Sequence, residues 1–418
     1  MLIYTVIYSM LILVIAMRSR RGVAVGVLIS STLLWPEYLR IPLVGIQFSA
    51  PRIIALALFY KYYLGEKKSR RQYNEIDCLI IIGFCWDIFA NIVSGAGEAR
   101  IKWLVGQGLD TVLIYFSVRY AVRSKADLND LIKPILFCGI IMGLFGLYEA
   151  ITFHSPYQKL LQYHQWMWYG KELEFRLGFL RAQASTAHPI YFGMSMFLLL
   201  GLIISVRAFK VNKMLYRLGF LGALFGALST LSAGPMTAAI LLLLFNAFYF
   251  KQGLIRPVIY MGILALIIIE IFSNRHFYSL IDYISISSNS WYRTRLLEVA
   301  VNQWHEYWLF GFGGNTPHHW GALLDGRKHV DLVNNYIVAA VIGGFPAVFI
   351  LFRIHYLIIT KALVIWRGDD EQLKVYAFGI ACLMIALMLG SMSVGLFASA
   401  LILSYAFYAA ISWVDNFK

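Results

Sequence analysis

Between Asn274 and Val333 the sequence gathers Arg275, His276, Arg293, Arg295, His305, His318, His319, His329 and Asp331 in one polar segment flanked by long apolar runs. Guanidinium groups grip phosphate through a fixed fork of N–H donors, and a neutral histidine takes up a proton near neutral pH. A hydrophobic chain that spends its longest polar segment on these residue types is equipped to hold an anion beside a bilayer and to move a proton. That is the chemistry of transfer from a phosphorylated lipid. A phosphorylated lipid already carries a good leaving group, so a protein acting on it has two tasks. It must stabilise charge on the departing phosphate and deprotonate an attacking hydroxyl. No cofactor is expected and no metal either: the adjacent pair His318-His319 with a distant third histidine, His329, lacks the spacing of a metal-ligand set.

The segment has internal order. From Trp291 to Trp308 the sequence WYRTRLLEVAVNQWHEYW keeps helical period. Tyr292, Leu296, Val299, Ala300, Trp304, Tyr307 and Trp308 share one stripe, and Arg295, Glu298, Asn302, His305 and Glu306 share the other. Ser290 is placed to cap this amphipathic helix and the FGFGG run at 310–314 to end it. Its aromatic stripe suits the headgroup level of a membrane. Arg293 and Arg295 fall in the first turn, where a cation is disfavoured unless an anion joins it at the backbone N–H groups.

The elements that must position these residues are membrane helices. Hydrophobic residues make up 60% of the 418 and charged residues only 14%, against about 25% charged in a soluble domain. Mean hydropathy is +0.68. Apolar runs near 2–16, 23–35, 52–64, 77–94, 104–121, 134–152, 189–206, 216–232, 236–250, 257–273, 334–352, 375–393 and 396–413 predict an all-α polytopic membrane protein. Twelve to thirteen transmembrane helices form one domain over 1–418. Leu2–Ala16 runs into Arg18, Arg20 and Arg21, basic charge on the wrong side for a cleavable signal peptide. Cys78, Cys85, Cys138 and Cys382 fall inside predicted spans and are expected to form no disulfide.

Six short loops carry the basic residues: Arg18/Arg20/Arg21, Lys67/Lys68/Arg70/Arg71, Arg119/Arg123/Lys125/Lys133, Arg207/Lys210/Lys213/Arg217, Lys251/Arg256 and Arg353/Lys361/Arg367/Lys374. The positive-inside rule assigns them, with Lys418, to the cytoplasm. The net charge of +14 is therefore a membrane signature and calls for no nucleic-acid partner. Segments 36–51, 95–103, 153–188 and 274–333 are then extracytoplasmic. The two long ones hold His154, His164, His276, His305, His318, His319 and His329, with His188 at the mouth of its span and His355 assigned to a cytoplasmic loop. No G-x-x-x-x-G-K-[ST] motif occurs, so an outer-face reaction would use a substrate that arrives activated.

Three stretches carry a resemblance: RLGFLRAQASTAHPIYFG at 176–193, RTRLLEVAVNQWHEYWLFGFGGN at 293–315 and VDLVNNYIVAAVIGGFPAVFIL at 330–351. In that order and topology they resemble the O-antigen ligase and O-antigen polymerase superfamily, especially its exopolysaccharide-polymerase branch. Those proteins are GT-C-like glycosyltransferases of the bacterial inner membrane. The resemblance implies metal-independent, inverting transfer of a glycan from undecaprenyl pyrophosphate to an acceptor hydroxyl on the periplasmic side. Arg181 matches the family arginine ahead of an Asn/His-Pro pair, here His188-Pro189, and would grip the pyrophosphate. LSAGPMTA at 231–238 matches a family turn, but Ala233 stands where the ligase version has an arginine, leaving Arg176 or Arg293 to supply that charge beside Arg295. The final motif resembles His/Asp-Asn-x-Tyr-Leu: Asn334 and Tyr336 fit, while Val333 takes the histidine position. The base candidates are then His319, His329 and Asp331, with His319 ranked first and His329 second, and His318 and His188 in support.

Implied partners are a lipid-linked glycan donor, a glycan acceptor, the lipid bilayer and a chain-length regulator. A ligase with a lipid or protein acceptor, and a lipid-linked oligosaccharide flippase, are the alternative functions. Asp87, Asp110, Glu149 and Glu270 are scattered over different helices with no counterpart in a second half. That pattern reads as paired or hydrogen-bonded bundle residues rather than a transporter's inverted repeat.

Overall fold

A computed structural model describes residues 2–43, 45–65, 73–161, 174–272, 290–313, 317–328 and 330–417. Its helices are α1 (Leu2–Arg18), α2 (Arg21–Leu34), α3 (Ala50–Leu58), α4 (Glu75–Val93), α5 (Glu98–Gly108), α6 (Ile114–Arg119), α7 (Lys125–Thr152) and α8 (Gln158–Leu161). There follow α9 (Pro189–Ser205), α10 (Lys213–Ser229), α11 (Ala233–Ala247), α12 (Ile255–Phe272) and α13 (Ser290–Asn302). The chain ends with α14 (Trp320–Leu323), α15 (Asn335–Trp366), α16 (Glu371–Gly390) and α17 (Ala398–Tyr408). Two small hairpins, β1 (Ile41–Leu43) with β2 (Ile46–Phe48) and β3 (Phe175–Arg176) with β4 (Phe179–Leu180), are the only strands among the described residues. Seven helical segments are long and apolar enough to cross a membrane, and α1, α2 and α9 are shorter apolar helices. The chain is a multi-pass α-helical membrane protein, with helix at each predicted apolar run.

The bundle closes where side chains are smallest. Gly139 and Gly143 of α7 meet Gly219 and Gly222 of α10, and a Cβ on Gly143 would stand 2.3 Å from the Gly222 carbonyl oxygen. Without a hydrophobic force between helices in lipid, such close backbone approach is what holds a pair together. It matters for the site because the far ends of this pair, Glu149 and Ser229–Leu231, support the loops described below. Buried polar groups are satisfied as predicted at two positions. Asp110 takes a two-bond fork from Arg52 at 2.7 Å on each arm, and Glu149 accepts backbone N–H groups of Ala184 at 2.7 Å and Gln183 at 3.3 Å.

The basic loops meet at one end of the bundle. Arg20 approaches Asp130 at 3.8 Å, Lys125 pairs with Asp370, and Arg119 reaches Asp77 at 3.3 Å and Asp415 at 3.4 Å. His355 is a correction: α15 continues to Trp366, so His355, Arg353 and Lys361 lie on a helix rather than in a loop. The apolar pattern persists past 352, which allows the extension. The His355 ring is buried, 3.2 Å from the Tyr408 hydroxyl, while Arg353 turns outward to Glu75 at 2.6 Å.

At the opposite end α15 is broken. Gly343 (φ −137°, ψ 17°) and Gly344 (φ 70°, ψ −168°) leave the helical region. A Cβ on Gly344 would stand 2.2 Å from the Leu309 carbonyl oxygen. Backbone bonds stitch the break to the polar segment: Phe345 N–H donates to Trp308 O at 2.7 Å and Phe312 N–H to Val341 O at 2.9 Å. Carbonyls freed by the break are taken up by Trp86 Nε1 and Asn91 Nδ2, at 2.6 and 2.9 Å. Irregular backbone at membrane depth needs such partners.

The amphipathic helix is shorter than its period predicts. α13 stops at Asn302, a tight turn spans Trp304–Glu306, and the Tyr307 hydroxyl donates back to Ala300 O at 2.6 Å. Tyr292, Leu296, Val299, Ala300 and Tyr307 are buried with Trp320, Leu324 and Val341, whereas Trp304 and Trp308 are half exposed. Gly311 and Gly313, both at positive φ, shape the turn that follows rather than the helix end. The Ser290 side chain, expected as a cap, lies outside the described residues.

Candidate functional site

The β3–β4 hairpin turns through Leu177 (φ 52°) and Gly178 (φ 80°), the two positive-φ positions of a twist-compatible two-residue loop. It brings Arg176 and Arg181 against the turn joining α10 to α11, the LSAGP stretch with Leu231 at φ 46°. Arg176 Nη1 donates to Leu231 O at 3.0 Å. Arg181 donates through Nε to Thr230 O at 3.3 Å, through Nη2 to Ser232 Oγ at 2.8 Å and through Nη1 to Glu174. Main-chain carbonyls aim both guanidiniums, and Arg181 is also ion-paired with Glu174.

They face a cavity of about 290 Å³ whose wall also holds Glu174, His188, Ser232, Ala233, Gly234, Tyr292, Arg293, Arg327 and Asp331. Four arginines stand there against two carboxylates, a net charge of +2 (4 − 2). The first residues of the 15-residue helix α11 form one wall, so its unpaired backbone N–H groups and dipole add positive potential. Burial holds all three deeper guanidiniums below the usual arginine range. Arg181 is pushed down to about 10 by burial and then by the Arg293 charge, Arg293 down by burial and by Arg176, and Arg176 down by burial. Arg176, Arg181 and Arg293 thus stand close enough that one cation disfavours the next.

Position 233 is informative. Ala233 lies on the wall at the start of α11, and Arg176 and Arg293 line the same cavity from the hairpin and from α13.

Asp331 is fixed beside Arg293 by the ring that precedes it. The Tyr292 hydroxyl accepts from Asp331 N–H at 2.9 Å and donates to Asp331 O at 3.1 Å, so loop and helix move as one. The Asp331 carboxylate is exposed, accepts no hydrogen bond from the described residues, and lines both this cavity and the adjoining one of about 460 Å³. Arg327 lies over the Tyr292 ring, 4.6 Å from its centroid. His188 caps α9: Nδ1 accepts from Ile190 N–H at 3.1 Å, so the neutral ring carries its proton on Nε2 and acts there as a donor.

Other predicted site residues lie elsewhere. His319 Nε2 is 2.8 Å from Glu306 Oε2, which also accepts from Trp320 Nε1 at 3.1 Å, and the ring packs edge-on to Phe312. Glu306 is raised by its partial burial but lowered further by the His319 and Trp320 hydrogen bonds, leaving it below the usual carboxylate range. Arg295 pairs with Glu298 at 3.0 Å, and His318 is exposed. None of the three is on the cavity wall. His329 lies outside the described residues, as do Arg275 and His276. Asn334 caps α15 by accepting from Tyr336 and Ile337 N–H, and the Tyr336 hydroxyl donates to Met388 O at 2.9 Å, so both fix the start of that helix. Sequence reasoning missed Glu174 and Arg327. The GRK run at 326–328 was the signal for the second, and Glu174 had none beyond its charge.

Among the described residues no group of three or more His, Cys, Asp or Glu is placed to hold a metal ion. No protein-family model matches the chain, and no curated protein matches it either.

Proposed function

We propose that the protein is a polysaccharide polymerase of the bacterial inner membrane. It transfers a growing glycan from undecaprenyl pyrophosphate to a hydroxyl of an incoming lipid-linked repeat unit on the periplasmic face. The observation that carries the reading is the cavity of four guanidiniums at the start of α11. A pyrophosphate diester carries two negative charges, which matches that wall's net +2 (4 − 2). The basic loops at the other end argue for the cytoplasm there and the periplasm here.

In this reading the acceptor hydroxyl oxygen attacks the anomeric carbon from the face opposite the pyrophosphate. The bond from that carbon to the pyrophosphate oxygen breaks, its electron pair stays on oxygen, and the anomeric configuration inverts. Arg176, Arg181, Arg293 and Arg327 bind the growing negative charge, and the His188 Nε2 proton adds a donor. Such prearranged donors contribute several kcal/mol where water is excluded. The hydroxyl proton goes to the Asp331 carboxylate, a base contribution of about 10²–10⁴-fold. Asp331 takes this role because it stands on the cavity wall, where His319 does not.

The test is stoichiometric. Purified protein given a synthetic undecaprenyl-pyrophosphate-linked repeat should release one undecaprenyl pyrophosphate for each new glycosidic bond. Bonds without release, or release into water without bonds, would overturn the polymerase reading.

A further inference from the structure

Two more cavities open from the arginine site, and all three share His188. The farthest is the largest, about 730 Å³, enclosed by the β1–β2 loop, α5, the start of α9 and the start of α17. Its volume falls in the range of about 300–1,000 Å³ that encloses a small organic ligand.

The wall of this chamber differs in kind from the arginine site. Trp103, Tyr38 and Tyr191 line it with rings, Arg100 covering one face of Trp103 at 3.9 Å from the centroid, and Gln47 and Gln107 line it with amides. Ring faces take the apolar side of a sugar, and amides supply both a donor and an acceptor to hydroxyls. The charges are almost all spent on one another. Arg52 and Asp110 close a two-bond fork, Lys102 turns to Glu98, and Glu37 accepts the backbone N–H groups of Ala187 at 2.7 Å and Ser399 at 3.1 Å. Arg40 is the exception. Its Nε donates to the Glu37 carbonyl oxygen at 2.8 Å, and its two terminal nitrogens have no partner among the described residues. Burial lowers Arg40 from the usual arginine range, while the Asp110 and Glu37 carboxylates act on it through space without a hydrogen bond to its terminal nitrogens among the described residues.

We propose that this chamber holds the terminal sugar of the acceptor, and that this sugar is acidic, its ring carboxylate taken in a fork by Arg40. The inference rests on the polymerase reading for the word acceptor, and on the chamber's own chemistry for the acidic sugar. One open guanidinium fits a monoanion such as a uronate, whereas the four-arginine cavity fits a pyrophosphate. The intervening cavity has Asp331 and His188 on its wall and shares wall residues with both, which in this proposal is where a hydroxyl of the bound sugar meets the donor's anomeric carbon.

The experiment uses the full-length protein in detergent and calorimetric titration with methyl disaccharides. They come in pairs ending in glucuronate or glucose, galacturonate or galactose, and mannuronate or mannose. At least one acidic member should bind about tenfold or more tightly than its neutral twin, as a charge-assisted fork implies. Arg40→Gln should bring that pair to parity, and Arg40→Lys should keep part of the preference. A single thermal-unfolding transition in both variants shows that they are folded. Equal binding within every pair, or a preference that survives Arg40→Gln, overturns the proposal. Inorganic pyrophosphate titrated into the same samples separates the two readings. Uronate binding without pyrophosphate binding would sink the polymerase and leave the Arg40 site standing. Pyrophosphate binding with no uronate preference would do the reverse.

Discussion

Arg181→Ala removes the guanidinium that three residues hold in place, and its effect can be sized from the contacts. The side chain bonds Thr230 O, Ser232 Oγ and Glu174 and still faces the cavity, so a bound pyrophosphate gains at least one charge-assisted hydrogen bond from it. Losing such a bond costs about 1.5–3 kcal/mol, or roughly 10–150-fold in affinity. Glu174, left without its cation, adds repulsion towards the anion. Its side chain is 42% exposed, so solvent screens most of that addition. Arg181→Lys keeps the charge but cannot bond the 230–232 turn and the anion together, and should recover less than about tenfold of the loss. The assay is titration of inorganic pyrophosphate into purified protein, with thermal unfolding as a control on the hairpin. Wild-type pyrophosphate affinity in a folded Arg181→Ala protein would refute the assignment of this cavity to the leaving group.

Asp331→Asn should slow transfer by about 10²–10⁴-fold without weakening pyrophosphate binding, and His319→Ala should stay within about twofold of wild type; the opposite ranking in a turnover assay would return the base to His319. Glu174→Gln removes a carboxylate that competes for Arg181 and should tighten pyrophosphate binding by roughly two- to tenfold, as expected for a half-screened charge. Burial places Arg181 at about 10, below its unfolded value, so its charge costs stability at neutral pH and that cost fades as pH rises through about 10. Pyrophosphate affinity should fall over the same interval, and a titration series that stays flat to pH 11 would contradict this. Gly344→Ala must fit a Cβ 2.2 Å from the Leu309 carbonyl at φ 70°, and should cost about 1–3 kcal/mol, read as a drop in unfolding midpoint.

Helix positions were legible because a bilayer leaves the chain few alternatives: the apolar runs and their basic flanks are the signal, and even the short α1 and α2 follow it. The break in α15 falls at Gly343-Gly344, just before Pro346. Arg176, Arg181, Arg293, His188 and Asp331 were named from sequence and share one cavity wall. What sequence did not carry was direction. His319 sits in the right segment, yet Glu306, thirteen positions back, turns it away, a contact made only once the chain folds at Trp304. Arg295 is two residues from Arg293, and on a helix that spacing puts the pair on different faces, one towards the cavity and one towards Glu298. The Glu37–Arg40 loop escaped notice because its partners, Ala187 and Ser399, are brought beside it by tertiary packing alone.

The central claim is that the four-arginine cavity receives the lipid pyrophosphate, and a density map of the protein bound to undecaprenyl pyrophosphate tests it most directly. Both phosphates should lie among Arg176, Arg181, Arg293 and Arg327 at the start of α11, with the bridging oxygens towards His188 and Asp331. Phosphates seated outside that wall, with Arg176 and Arg181 still bound to the 230–232 turn and Glu174, would contradict it.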